Sequence, residues 1–417
     1  RFLSILPIWH TFERTMEYIL FRVGGSIWYT SPLTILKDFS MVNPTYLVSV
    51  PRIWISIYKG VMAKVRRSKK EELFARFYKH SLKFINARRY RQHRQYLLAG
   101  EEPCKKSASL ADYLFHFLGN LLIYSKMRKK LGNNFTAGIS GGGSLPEYID
   151  DFFEVLGMTL LEGYGLTETS PVLCVRTLEH RIPYTVGRPL PQTDIKIMDE
   201  DGKELSSGEK GTVWVHGPQV MKGYYKNPEE TEKVMMKDRE NRLWFNTGDL
   251  GCKTRDGDLT ILGRIKDTIV LIGGENIEPA QIEKTLKRSE YIDQVMVCGQ
   301  DQEHLTALIV PDEKMIKAEC AKLNIEYKKE GLKELSKNEK LKKVYLEIIE
   351  GLISEGDGFK KIELIHNIAF TEPFTPENAT LTNTLKVKRH EVQKRDEQLI
   401  RDMYPHYNEG GKIKECG

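Results

Sequence analysis

The sequence predicts an α/β protein with a large multi-sheet domain and a small α+β C-terminal domain. Apolar segments that run into glycine-rich turns, at 135–146 and 158–165, are typical of strands in an open α/β sheet. After residue 171 apolar and polar residues alternate over 193–198, 211–217 and 259–262, which indicates a β-rich part. A chain of 417 residues exceeds the size at which single cores stop growing, so two domains are expected.

The stretch 163–171 combines glycines, an aromatic ring, hydroxyls and one carboxylate. The apolar residues 158–162 predict a strand, so the glycines are expected at its end, where the chain turns tightly and where open α/β sheets bind ligands. Tyr164 offers a ring to a flat base, Thr167 a hydroxyl to a phosphate oxygen, and Glu168 an anionic ligand to Mg²⁺. A glycine-bearing turn capped by Thr and Glu is the alternative.

A second glycine turn, Gly141, Gly142 and Gly143, follows the predicted strand 135–140 and precedes a helix from about Pro146. Three successive glycines let the backbone approach a flat ligand closely. A glycine run alone is a weak signal, and its value here comes from its position before the stretch 163–171.

The chain begins with a predicted strand, 3–7, and a helix with Thr11 as its N-cap. His10 precedes this helix, and a histidine in such a position is more often a core or capping residue than a functional one. Because the chain lacks an initiator methionine and opens in mid-strand, we expect it to be part of a longer protein.

Residues 62–132 form a basic helical insertion. Apolar residues from Leu73 to Ile85 recur at three- and four-residue intervals, which predicts an amphipathic helix with Lys and Arg on its other faces. A solvated charged face is the simplest interpretation; contact with anionic lipid headgroups is the second. No nucleic-acid-binding motif accompanies the charge, so nucleic acid is not an expected partner.

Bulk properties predict an ordinary globular protein. The net charge is +6, and no apolar run approaches the roughly 20 residues that span a bilayer. The six cysteines include no Cys-x-x-Cys pair, which favours reduced thiols and a cytoplasmic location, with peripheral membrane contact as an addition.

The second half of the chain supplies further candidates. Asp249 follows a Gly in Phe-Asn-Thr-Gly-Asp, where a turn residue is the ordinary interpretation although a carboxylate can also accept two ribose hydroxyls. A helix from 279 to 289, strands at 295–298 and 306–310, and lysine-rich helices predict the small domain. Lys386 lies near its end, where a lone lysine is ordinarily a solvated charge.

These motifs together resemble the adenylate-forming (AMP-binding) enzyme superfamily, and most of all its long-chain fatty-acid CoA ligases. The matching residues are Gly-Tyr-Gly-Leu-Thr-Glu-Thr-Ser at 163–170, the glycine run 141–143, Leu-Pro-x-x-His-x-x-Glu at 6–13, the stretch 263–283 and Leu-Thr-Asn-Thr-Leu-Lys-Val-Lys-Arg at 381–389. The resemblance implies a large domain over 1–263, incomplete at its N-terminus, and a small mobile domain over 264–417.

The resemblance also implies roles for individual residues. ATP would be held by Gly141, Gly142, Gly143, Tyr164, Thr167, Asp249 and Arg264, with Glu168 on Mg²⁺ and Thr167, Glu168, Lys386 and His10 at the reacting groups. Lys266 would be the interdomain hinge, and the loop Gly273, Gly274 and Glu275 would line the path of coenzyme A.

The implied activity is ATP-dependent activation of a long-chain fatty acid to an acyl adenylate, followed by transfer to coenzyme A. Acyl carrier protein as acceptor, or a non-catalytic acyl or nucleotide binder, are the alternatives. The superfamily's Ser/Thr/Gly-rich phosphate loop ending in Pro-Lys-Gly has no match here, so we expect negligible catalysis from these 417 residues alone.

Overall fold

The computed structural model describes residues 1–404 except 32–33, 131, 133, 329–330 and 383–384. The chain divides into unit 1, Arg1–Ile261, and unit 2, which begins at Leu262. The predicted domain boundary was two residues later. Each unit is an α/β assembly with its own buried core, and this confirms the predicted fold class.

Unit 1 contains a seven-stranded sheet in the order β2-β1-β3-β4-β5-β6-β7, in which β2 to β5 run parallel and β6 and β7 antiparallel. Its strands are β1 Phe2–Ser4, β2 Ile27–Tyr29, β3 Tyr46–Ser49, β4 Ala137–Ser140, β5 Leu160–Gly165, β6 Val172–Val175 and β7 Arg188–Pro189.

A second sheet of unit 1 has the order β10-β11-β9-β8, with β12 also paired to β11. Its strands are β8 Asp194–Met198, β9 Gly211–His216, β10 Met235–Lys237, β11 Leu243–Lys253 and β12 Leu259–Arg264. Ile195, Ile197, Val213 and Val215 alternate along β8 and β9 into a buried cluster, as the period-two pattern predicts.

The helices of unit 1 cover mainly the parallel part of the first sheet. They are α1 Thr11–Arg22, α2 Ile35–Val42, α3 Pro51–Arg67, α4 Glu71–Arg91, α5 Leu110–Gly119, α6 Ser125–Lys130, α7 Glu147–Val155 and α8 Pro228–Val234, with a π-helical turn Asn120–Tyr124 between α5 and α6. None of the described helices is long and apolar enough to cross a membrane.

Unit 2 contains the short hairpin β13 Ile269–Val270 and β14 Asn276–Ile277, and the three-stranded sheet β15-β16-β17. The remaining elements are α9 Pro279–Leu286, β15 Ile292–Cys298, β16 Leu305–Pro311, α10 Glu313–Lys322, α11 Leu332–Leu335, α12 Glu339–Glu350, β17 Ile365–Phe370, α13 Arg389–Arg395 and α14 Glu397–Asp402.

Two local predictions at the N-terminus require correction. His10, not Thr11, is the N-cap of α1, because its Nδ1 accepts a hydrogen bond from the Phe12 amide at 3.2 Å. The first strand ends at Ser4, earlier than the predicted 3–7.

The basic insertion is only partly a solvated surface. Arg88, Arg89 and Arg94 surround the carboxylate of Glu154 on α7, at 3.0, 2.6 and 3.2 Å. Burial opposes ionisation of Glu154, but the three guanidinium groups outweigh it and lower its pKa to about 2. These arginines therefore hold the insertion on the large unit, which its sequence pattern did not indicate.

Candidate active site

Three predicted segments lie at one edge of the first sheet. The strands β1, β3, β4 and β5 are consecutive neighbours and parallel, so their carboxyl ends meet at the same edge. His10 and α1 follow β1, the glycines 141–143 follow β4, and Thr167 and Glu168 follow β5. This is the edge at which open α/β sheets bind ligands.

The glycine run 141–143 is fitted closely against its neighbours. A Cβ on Gly141 would lie 2.7 Å from the ring of Phe12, and the Gly141 amide donates to Ser49 O at 3.1 Å. Gly142 has φ +75°, a conformation that L side chains rarely adopt. The first turn of α1 therefore supports this loop, and the contact by Phe12 was not found from the sequence.

The glycines of the 163–165 motif lie within β5, so the prediction of a tight turn at these glycines was wrong. A Cβ on Gly165 would lie 1.7 Å from the carbonyl oxygen of Pro171. Glycine is required here because two backbone segments approach closely, and not because a turn demands positive φ.

Tyr164 and Asp249 are joined across the two sheets. The Tyr164 hydroxyl donates to Asp249 Oδ2 at 2.6 Å, and the Asp249 side chain is 5% exposed. Burial, with the adjacent Asp249 carboxylate, raises the pKa of Tyr164 well above its usual value. The hydroxyl therefore stays protonated and remains a donor to Asp249.

A bulge in β11 sets the position of Asp249. The pairing of β11 with β9 shifts register between Asn246 and Leu250, and Gly248 within it has φ +69°. Asn246 Oδ1 accepts from the Gly248 amide at 2.9 Å, and Thr247 Oγ1 accepts from the Asp249 amide at 3.1 Å. The motif Asn-Thr-Gly-Asp is thus a rigid support for its final carboxylate.

Thr167 and Glu168 lie in a 3₁₀ turn, Thr167–Thr169, after β5, with Thr167 exposed and Glu168 half-buried. The Tyr224 hydroxyl donates to Glu168 Oε1 at 3.2 Å, and the Met221 amide donates to Glu168 O at 2.8 Å. The segment 221–224 therefore holds this turn from the second sheet's side. The sequence did not predict the contact between Tyr224 and Glu168, because these residues are 56 positions apart in the chain.

Among the described residues, no group of three or more His, Cys, Asp or Glu could hold a metal ion. Glu168 is a single, partly exposed carboxylate, and this fits Mg²⁺, which keeps several waters and binds through one or two carboxylates plus substrate phosphates. The donor set at this edge therefore fits a magnesium ion that arrives with a nucleotide.

A buried charge network behind the edge was not predicted. Arg176, 2% exposed, contacts Asp150 at 2.8 Å and Glu162 at 3.0 Å. Glu162 in β5 also accepts from the Leu145 amide at 2.8 Å, just after the glycine run. This network positions the C-terminal end of the glycine loop relative to β5, and no local sequence signal marks it.

The remaining predicted residues belong to unit 2. Arg264 is exposed at the end of β12, and Lys266 is exposed in the 3₁₀ turn Ile265–Asp267. Gly273, Gly274 and Glu275 form the exposed connection between β13 and β14, where Gly274 has φ +87°.

Lys386 is exposed in a tight loop of unit 2. Its amide donates to Thr382 Oγ1 at 3.0 Å, and the Thr382 amide donates to Lys386 O at 2.8 Å. Asn383 and Thr384 of the predicted motif lie outside the described residues. The roles of these unit 2 residues, like those of His10 and Glu168, stay predictions.

Comparison with known proteins identifies the class. Residues 1–225 match the family of AMP-binding enzymes, and residues 266–408 match the C-terminal domain of AMP-binding enzymes. The chain therefore belongs to the AMP-binding enzyme family, which confirms the resemblance inferred from the motifs.

Among its relatives, the chain is 37% identical to a chloroplastic long-chain-fatty-acid–[acyl-carrier-protein] ligase of Arabidopsis thaliana, over 97% of this chain and 56% of the relative. It is 30% identical to long-chain-fatty-acid–CoA ligase 5 of Mus musculus, over 96% and 55%. The chain thus spans just over half the length of these relatives.

The fold also matches solved structures. The adenylation domain of a carboxylic acid reductase from Segniliparus rugosus, solved with AMP and a co-purified carboxylic acid, has a TM-score of 0.69 at 21% identity, covering 97% of this chain and 54% of that one. This likeness supports the fold of both units.

Proposed function

We propose that the protein activates a long-chain fatty acid with ATP and then transfers the acyl group to coenzyme A. In the first step a carboxylate oxygen attacks the α-phosphorus of ATP, and the bond to the bridging oxygen breaks to release pyrophosphate. In the second step a thiol attacks the acyl carbonyl, AMP leaves, and the thiol proton passes to solvent. Family membership and the names of the relatives support this reaction class.

The observation that carries the proposal is the position of Asp249 beside Tyr164, next to the sheet edge that bears the glycine loop. These groups suit adenine and ribose. An aromatic ring and a close-fitting glycine backbone can pack on a flat base, and a buried carboxylate can accept hydrogen bonds from the ribose hydroxyls. These groups would position the nucleotide, and the Thr167 hydroxyl would contact a phosphate oxygen.

The chemistry requires positive charge, because a carboxylate must approach a polyphosphate that is already negative. Mg²⁺ held at Glu168 would neutralise phosphate charge when bound. Among this chain's own residues, Lys386 would supply positive charge during adenylation, and Arg264 would contact the nucleotide. Lys266 would be the hinge about which the small unit reorients before the thiol enters along the loop 273–275.

Fatty-acid-dependent release of pyrophosphate tests the first step. Full-length protein with oleate, ATP and Mg²⁺ is expected to release pyrophosphate, with none released when the acid is omitted. Binding of AMP without acid-dependent pyrophosphate release would instead establish a non-catalytic nucleotide binder.

The acceptor is the finer part of the proposal. Acyl carrier protein is a second candidate, favoured by the 37% identity to an acyl-carrier-protein ligase against 30% to a CoA ligase. Supplying oleoyl adenylate with either coenzyme A or holo acyl carrier protein distinguishes the two. Faster thioester formation with the carrier protein would overturn the assignment of coenzyme A.

A further inference from the structure

Helix α5 and the π-helical turn after it present an exposed apolar stripe. Its members recur at intervals of three and four, which places them on one side of the helix. We call this the α5 stripe: Leu110 (86% exposed), Leu114 (55%), Phe117 (63%) and Leu121 (59%). Contiguous exposed apolar side chains of this size mark a surface for interaction rather than a solvated face.

The orientation of α5 is fixed by its opposite side. Phe115 stacks on His80 and packs on Phe77, with ring centroids 4.3 and 5.6 Å apart. Ser109 and Asp112 form a capping box, and Asp112 also contacts His80 at 2.7 Å. Because one face is held this firmly against α4, the α5 stripe is a constant feature of the surface.

Basic side chains flank the stripe. The guanidinium of Arg91 lies 5.8 Å from the ring centroid of Tyr113, the residue before Leu114 in α5. Exposed lysines on α4 and on the segments before and after α5 add to Arg91: Lys83, Lys105, Lys106, Lys126 and Lys129. Between residues 104 and 130 the only acidic residue is Asp112, which is 4% exposed.

We propose that the α5 stripe and its flanking cations dock on an anionic lipid bilayer, with the stripe entering the headgroup region. Apolar side chains bordered by Lys and Arg, with no exposed carboxylate between residues 104 and 130, are complementary to apolar chains beneath anionic headgroups. The exposed acids nearest in sequence are Glu101 and Glu102 before this segment and Glu71 and Glu72 at the start of α4. A second copy of the chain fits less well, because a symmetric contact would bring the positively charged residues of the two copies close together, where they repel each other. Nucleic acid fits less well because the stripe is mainly leucine, which gives no stacking surface for bases.

Co-sedimentation with vesicles tests the proposal, and it does not depend on the enzymatic activity. The protein is expected to bind vesicles of phosphatidylcholine with phosphatidylglycerol, and to bind pure phosphatidylcholine vesicles at least about tenfold more weakly. The double variant Leu114→Ser, Phe117→Ser should lose about tenfold or more in affinity, since it removes two of the four apolar side chains of the stripe.

Matched variants separate the two components of the surface. Lys83→Glu with Lys126→Glu should weaken binding to the anionic vesicles only, and high salt should do the same to the wild type. Leu178→Ser, which changes an exposed leucine of unit 1 outside the stripe, should bind as the wild type does.

Three outcomes would overturn the proposal. They are equal binding to both vesicle types, wild-type affinity in the stripe variant, and a change from dimer to monomer on substitution of the stripe without any change in vesicle binding. The last result would show that the stripe is an interface between copies of the chain.

Discussion

The hydroxyl of Tyr164 in β5 donates to the carboxylate of Asp249 in β11 across 2.6 Å, and so joins the two sheets of unit 1. The two residues are 85 positions apart in the chain. Tyr164 lies near the C-terminal end of β5, at the carboxyl edge of the parallel strands. Asp249 lies in a bulge of β11, in the antiparallel sheet. One hydrogen bond therefore sets the spacing between the proposed base-binding ring and the proposed ribose-binding carboxylate.

Tyr164→Phe keeps the ring but removes this donor to Asp249. A hydrogen bond to a charged group contributes about 1.5–3 kcal/mol, so we expect the KM for ATP to rise by about tenfold or more. Steady-state pyrophosphate release by the full-length enzyme at varied ATP measures this change, with the KM for the fatty acid as the internal control. An unchanged KM for ATP would contradict a shared nucleotide-binding role for the pair.

Glu168→Gln keeps the shape of the side chain but removes its charge. If Glu168 binds Mg²⁺, adenylation should fall by about 10²-fold or more, because the metal supplies several kcal/mol of charge stabilisation. The Mg²⁺ concentration for half-maximal rate should also rise. Tyr224→Phe, which removes only the hydrogen bond to Glu168, is the control and should lower the rate by less than about tenfold.

In the full-length enzyme, Lys386→Ala should abolish acyl-adenylate formation and leave thioester formation from supplied acyl adenylate largely unchanged, because only the first step needs an added cation. Lys388→Ala, two residues further on and also exposed, is the matched control and should keep both steps. Equal loss of both steps in Lys386→Ala would count against the assignment.

Arg176→Met leaves Asp150 and Glu162 buried without their cation. Breaking a buried charge network in this way costs about 3–5 kcal/mol, which urea unfolding of the protein can measure. Arg255→Met removes an exposed contact to Asp256 and should change the free energy of unfolding by less than about 1 kcal/mol. A small effect at Arg176 would mean that the network does not hold the glycine loop.

Glu13 gives a pH dependence to stability. Burial raises its pKa from 4.5 to about 7, against the opposing effect of the Ser4 hydroxyl. Below pH 4.5, the pKa of Glu13 in the unfolded chain, the carboxyl is protonated in both the folded and the unfolded state. As the pH rises from 4.5 towards 7, Glu13 ionises in the unfolded chain but stays protonated in the folded protein. Stability is therefore lost over this range, by roughly 3 kcal/mol.

Glu13→Gln removes this ionisation. The free energy of unfolding of the variant should equal that of the wild type near pH 4.5, the pKa of Glu13 in the unfolded chain, and should exceed it by roughly 3 kcal/mol at about pH 8. Urea unfolding of both proteins across this range measures the difference. A difference that does not vary with pH would show that Glu13 does not ionise with a raised pKa.

Local sequence patterns determined much of this protein. The alternation along β8 and β9, the helical spacing of Phe74, Phe77 and Ile85 in α4, and the glycine loop after β4 all follow from short-range periodicity and backbone conformation. The family motifs follow from residue identity and order, and they predicted the class of protein correctly.

Only the tertiary structure decided which distant residues meet. The pairing of Tyr164 with Asp249, Tyr224 with Glu168, and Arg89 with Glu154 each joins residues more than 50 positions apart. The same cause explains the wrong turn at Gly165, whose need for glycine comes from the Pro171 carbonyl of the returning chain. Periodicity shows on which face of its helix or strand a residue lies. The distant residue that it contacts, and the distance between them, depend on how the helices and strands pack together. A single sequence carries no local signal for that packing.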